Sequence, residues 1–143
     1  MLGNTLIAGF VTAVGLGINY MRKENQRFQD QYNNYSDELE VWVNQAKNQE
    51  QKTARRNAKI ITLKAYGCMR PFSFQNGYYL GLQELGLDEI PPGLSKMSSI
   101  TDADLFGNNL TNADQVLDLP NLKELNLNNN PRLTQIPKTT SDH

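Results

Sequence analysis

A chain of 143 residues with 38% hydrophobic and 20% charged side chains supports one lean core at most. Lys+Arg 14 against Asp+Glu 15 leaves a net charge of −1, so bulk charge gives no case for nucleic-acid binding. The only His is the last residue, His143, and the only Cys is Cys68. That excludes a disulfide framework and a Cys zinc cage, and it removes the commonest general base. No P-loop, H-E-x-x-H or G-x-S-x-G motif is present, so the sequence predicts a non-enzymatic protein without metal or cofactor.

Residues 1 to 21 carry no charged side chain, and Thr5 to Ile18 is apolar apart from Gly, Thr and Ala. Roughly 20 such residues match one bilayer thickness, which predicts a transmembrane or buried apolar helix over 1–21. Gly9, Ala13 and Gly17 recur every fourth residue, a spacing that lets another helix approach closely and predicts self-association into a homo-oligomer. Arg22, Lys23 and Arg27 follow the apolar run directly, so the positive-inside rule places a single-pass anchor with the C-terminal head in the cytoplasm.

From Ile18 to Tyr66 there is neither Gly nor Pro. Phe28, Tyr32, Tyr35, Leu39, Trp42 and Ala46 follow heptad spacing, in a phase that extends to Ile60 and Leu63. Residues 22–70 therefore read either as a long helical stalk or as a helical hairpin, with Asn33-Asn34 as the break and Ser36 capping the second helix. The basic cluster of Lys52, Arg55, Arg56, Lys59 and Lys64 has no interleaved aromatics for base stacking and reads as a solvated or partner-facing surface. Cys68, with no His to pair with, reads as an inert thiol. Asn76-Gly77 between alternating apolar residues predicts a capping hairpin over 71–81.

Beyond it lies a repeat. Leu122-Lys-Glu-Leu125-Asn-Leu127-Asn-Asn-Asn130, continuing to Leu133 and Ile136-Pro137, has a second copy in Ile100, Ala103, Leu105, Asn108, Leu110 and Ala113. A degenerate third copy runs through Leu82, Leu85, Leu87 and Ile90 without the Asn. This pattern resembles the leucine-rich repeat over about residues 78–137, closest to short bacterial repeats of the internalin-like kind. The resemblance implies an α+β chain whose last part, 82–143, is a solenoid head of about three repeats, each with one parallel strand, and an Asn side chain bonding backbone where the chain leaves the strand.

In this family the concave strand face is the usual protein-binding surface. Alternation assigns to it Glu84, Gly86 and Asp88, then Asp102, Asp104 and Phe106, then Glu124, Asn126 and Asn128. Five of the nine are acidic, which predicts a protein partner with a basic surface and Phe106 as apolar anchor. Residues 22–70 hold 10 basic and 6 acidic side chains whereas 71–143 hold 4 and 9, so the acidic face could also dock the chain's own basic helix, in cis or from a neighbour. The leading expectation is a membrane-anchored adaptor or scaffold. The alternatives are a structural subunit of a membrane-associated assembly and a secreted bacterial effector with a truncated array.

Overall fold

A computed structural model describes residues 2–69 and 78–135, with side chains from Gly15 onward. Helix α1 spans Leu2–Asn44 and α2 spans Gln49–Gly67. Strands β1 (Tyr78–Gly81), β2 (Ile100–Asp104) and β3 (Glu124–Asn126) follow, with 3-10 turns at Leu94–Lys96 and Asp114–Asp118 between them. The chain is thus a mixed α+β structure of two helices and a small three-stranded parallel sheet.

The helices form a hairpin. The aromatic seam of α1 closes on one residue of α2: Phe28 stacks on Tyr66 at 5.6 Å, Tyr32 at 6.2 Å, and Tyr35 meets it edge-on at 5.2 Å. Tyr35, Leu39, Trp42 and Val43 are buried beneath it. The break falls at 45–48, not at Asn33-Asn34, which stay inside α1. Asn48 rather than Ser36 is the cap: its Oδ1 accepts from the Gln51 backbone N–H at 2.8 Å, and Gln51 Oε1 accepts from the Lys47 N–H at 3.1 Å. Across the hairpin Lys59 donates to Glu40 at 2.6 Å. That hydrogen bond and the adjacent charge hold the Glu40 carboxyl below its ordinary range. The extended heptad phase holds at Leu63, which is buried, and fails at Ile60, which is exposed.

Short of Phe28, α1 runs on without packing on the rest of the molecule at Leu16, Ile18, Tyr20 and Met21, all exposed. The side chains of residues 1–14, including Gly9 and Ala13, lie outside the described residues; the space over Gly17 is open. Among the described residues no helix is long and apolar enough to cross a membrane.

The sheet has order β1-β2-β3. Leu80 pairs with Ala103 and Gly81 with Asp104; Ala103 pairs with Leu125 and Asp104 with Asn126. Equivalent positions thus recur after 23 and then 22 residues. Leu80, Leu82, Ile100, Ala103 and Leu105 bury one face against Leu87, Ile90, Leu94, Met97, Leu110 and Val116 from the connecting segments.

The first strand begins earlier than the repeat pattern suggests. Leu80 and Leu82, not Leu85 and Leu87, take the inward positions, because Glu84 (φ 54) and Gly86 (φ 76) turn the chain out of the sheet. Glu84 and Asp88 therefore do not sit on the strand face. Tyr78–Gly81 belongs to the parallel sheet rather than to a capping hairpin; the Asn76-Gly77 turn lies outside the described residues. The cover for β1 comes instead from α2, and the Tyr78 hydroxyl donates to the Cys68 carbonyl at 3.2 Å.

Burial is uneven along the sheet. Leu105 is 1% exposed, whereas Leu122, Leu125, Leu127 and Leu133 are only half-buried. Leu105→Ala should cost about 2–5 kcal/mol, as large cavity-forming changes do, and Leu125→Ala clearly less. Urea melts of the two variants check the order, and equal losses would contradict this packing.

Candidate functional site

Two side chains hold successive strands in step. Asn108, almost wholly buried, accepts on Oδ1 from the Leu85 and Leu87 N–H groups (3.1 and 3.0 Å) and donates from Nδ2 to the Leu82 and Leu105 carbonyls (2.8 and 3.0 Å). Asn130, one strand on, accepts from Leu110 N–H at 3.3 Å and donates to the Leu105 and Leu127 carbonyls, both at 2.9 Å. An amide offers both donor and acceptor, so one buried side chain serves backbone groups of two neighbouring turns that water cannot reach. The corresponding position after β1 is Leu85, which cannot do so.

With the core on one face, alternation leaves three cross-strand rows on the other. The first is Tyr79, Asp102 and Glu124; the second is Gly81, Asp104 and Asn126. The backbone bonds Glu84 N–H to Phe106 O and Gly107 N–H to Asn128 O bring Gln83, Phe106 and Asn128 into a third. Of the expected face residues, Asp102, Asp104, Phe106, Glu124, Asn126 and Asn128 are brought together. Glu84 lies at the turn beside Gly107, and Asp88 is used inside the molecule.

The face is acidic and locally ordered. Asp102, Asp104 and Glu124 make no ion pair among the described residues. Asp102 accepts from the Thr101 hydroxyl at 3.1 Å. Asp104 Oδ1 accepts from the Phe106 N–H at 3.0 Å, and Asn126 Oδ1 takes the same bond from Asn128 N–H at 3.1 Å. Asp104 and Asn126 thus each close the end of their strand.

Tyr79, absent from the expected set, is the largest exposed group on the face at 55% exposure. Its hydroxyl donates to Asp104 Oδ2 at 3.0 Å, and its ring lies over Gly81, where an added Cβ would stand 2.7 Å from Tyr79 Cε1. Desolvation, then the hydrogen bond and charge of Asp104, push the Tyr79 hydroxyl above its usual range. It therefore stays a donor. An exposed aromatic ring tied to a carboxylate suits an incoming cation, which gains from both.

Arg55, expected on a solvated or partner-facing surface with the rest of its basic cluster, is instead drawn inside the molecule by two carboxylates and a carbonyl. It is 4% exposed, and its guanidinium takes Asp88 in both arms (Nε to Oδ1 3.2 Å, Nη2 to Oδ2 2.9 Å), reaches Glu89 at 3.1 Å and donates from Nη1 to the Trp42 carbonyl at 2.8 Å. It also stands 5.1 Å from the Trp42 ring centre. A polar cleft of about 480 Å³ opens beside it, lined by Lys47, Glu89, Asn112, Asp114 and Arg132 among others. Charges of both signs line this cleft, and no single ligand chemistry follows from them. Among the described residues no group of three His, Cys, Asp or Glu is placed to hold a metal ion.

Comparison with known proteins returns no match to a family model, to a curated protein or to a solved structure.

Removing one partner of the Arg55–Asp88 pair strands a desolvated charge. Arg55→Met should therefore destabilise by about 3 kcal/mol, and adding Asp88→Asn should recover part of that loss. Thermal melts of both singles and the double measure it; strictly additive losses would mean that the pair contributes nothing.

Proposed function

We propose that this chain is a non-enzymatic interaction module: a short leucine-rich-repeat head that binds a basic protein surface through the open face of its sheet, held at a membrane by its apolar N-terminal helix. The observation that carries the reading is a group of three carboxylates in two adjacent rows, Asp102, Asp104 and Glu124, that no cation of the chain engages among the described residues, on strands whose core lies on the opposite face. Supporting the repeat assignment are the parallel strands at 23- and 22-residue intervals and the two equivalent Asn side chains. Asn126 and Asn128 supply neutral hydrogen-bonding groups beside the carboxylates, while Phe106 and Tyr79 supply apolar area.

The membrane part of the reading rests on the uncharged run 1–21 and on the exposure of Leu16, Ile18, Tyr20 and Met21, which the head does not cover. Tyr20 with Arg22 and Lys23 directly after it is the arrangement an interfacial boundary favours, with the head on the cytoplasmic side. The same exposed residues would equally suit a structural subunit whose helix packs in a larger protein assembly, the second reading.

Two measurements test this. Asp102→Lys with Asp104→Lys should abolish capture of a Lys/Arg-rich peptide without changing the circular-dichroism spectrum, and undiminished capture removes the face from the mechanism. After a carbonate wash the full chain should stay in the membrane pellet while a chain starting at Asn25 is released. If both are released, the helix belongs in a protein assembly rather than a bilayer.

A further inference from the structure

The outer side of α2 carries a second uncovered surface. Thr53, Arg56, Asn57, Ile60 and Lys64 are all exposed and fall on one helical stripe. Ile60 is 60% exposed at its centre, with Arg56 one turn before it and Lys64 one turn after. The stripe has no acidic residue, and neither Arg56 nor Lys64 makes an ion pair among the described residues. Arg56 acts at a distance on Glu40, whose carboxyl already bonds Lys59.

The Lys64 end of this stripe borders the open sheet face at β1. Lys64 lines a groove of about 390 Å³ together with Ile61, Tyr79, Gly81 and Gln83, and the last three are the outward residues of β1 and its continuation. Within one chain the two surfaces meet at Lys64, yet no cation of α2 pairs with Asp102, Asp104 or Glu124. Adjacent basic and acidic patches make a surface complementary to its own copy after a two-fold rotation, the requirement for an isologous contact.

We propose that the first occupant of the acidic sheet face is a second copy of this chain, each copy laying its Arg56–Ile60–Lys64 stripe across the other's Asp102, Asp104 and Glu124. The inference rests on the binding-face reading above. Dimensions agree: eight helical steps from Arg56 to Lys64 span roughly 12 Å, and four strand steps from Asp102 to Phe106 roughly 13 Å. Lys64 and Arg56 meet the carboxylates while Ile60 covers the Tyr79 ring, which lies over Gly81 beside Asp104. Two equal contacts double the area buried, and a shared membrane raises the effective concentration of a contact that is weak in dilute solution. Exposed charge pairs make the association salt-sensitive.

The test uses the full chain in lipid nanodiscs. In a mixture of isotope-labelled and unlabelled copies, zero-length carbodiimide coupling should yield hybrid peptides joining Lys64 to Asp102, Asp104 or Glu124, lost at high salt. Two charge-reversed chains then provide a control for folding: Asp102→Lys/Asp104→Lys and Arg56→Glu/Lys64→Glu. Each alone should associate at least about tenfold more weakly than wild type, a difference of 1.4 kcal/mol. Their mixture should regain wild-type association, because both contacts are then attractive. Failure of the mixture to recover, or absence of hybrid peptides, overturns the paired arrangement. If a Lys/Arg-rich peptide is still captured in that case, the acidic face keeps its binding role and only the second copy is wrong; if the peptide is not captured either, both readings fall.

Discussion

Arg55 is the contact on which the relation between helices and sheet depends. Its guanidinium takes up the Trp42 carbonyl near the end of α1, lies against the Trp42 ring, and binds Asp88 and Glu89 from the segment that follows β1. Three parts of the chain that share no backbone hydrogen bonds are fixed to one planar group. Because that group is almost fully desolvated, any rotation of the hairpin that loses Asp88 and Glu89 leaves a buried charge without a carboxylate partner. The hairpin is thus oriented as well as attached, and the orientation sets α2 along the edge of β1.

A covered edge decides the rest. Parallel strands of three to five residues expose unpaired backbone groups on both flanks and cannot bury a core alone. On the β1 side α2 supplies the cover; between strands, Asn108 and Asn130 serve the backbone that turns away from the sheet. On the β3 side the leucines of the repeat stay half-buried among the described residues, so stability falls from the hairpin toward the C-terminus. With the core packed behind the sheet, its other face is free to carry carboxylates whose mutual repulsion a purely structural surface would have no reason to keep.

What was legible in the sequence follows from which signals are local. Periodicity gave the aromatic seam of α1 and the alternation of β2 and β3, since each is read within one element. The choice between stalk and hairpin turned on packing partners, and Tyr66, which the seam closes on, lies more than 30 residues from its neighbours in α1. The cap at Asn48 was present as Asn48-Gln-Glu-Gln51, a pattern as clear as the one at Ser36; a helical register that stayed apolar through Ala46 hid it. Around β1 the spacing Leu80, Leu82, Leu85, Leu87 fits the repeat in two registers five residues apart. Only the positive φ values at Glu84 and Gly86 choose between them, and that choice removes Glu84 and Asp88 from the face while bringing in Tyr79. Arg55 and Asp88, 33 residues apart, were each visible as charges but not as a pair.

The molecule is thus a small parallel sheet capped at one end by a helical hairpin, with an acidic, partly aromatic face bordered by the basic helix α2 and a helical stem with an apolar start. The central proposal is that cations are recognised on that face. Amide hydrogen exchange of the full chain carrying Arg56→Gln and Lys64→Gln, which leaves the face free of a second copy, followed by mass spectrometry with and without a Lys/Arg-rich peptide, tests it most directly. The account predicts slowed exchange confined to 79–83, 102–106 and 124–128. Protection confined to the cleft around Asn112 and Asp114, or to the Asn-lined turns at 108–109 and 129–130, would contradict it.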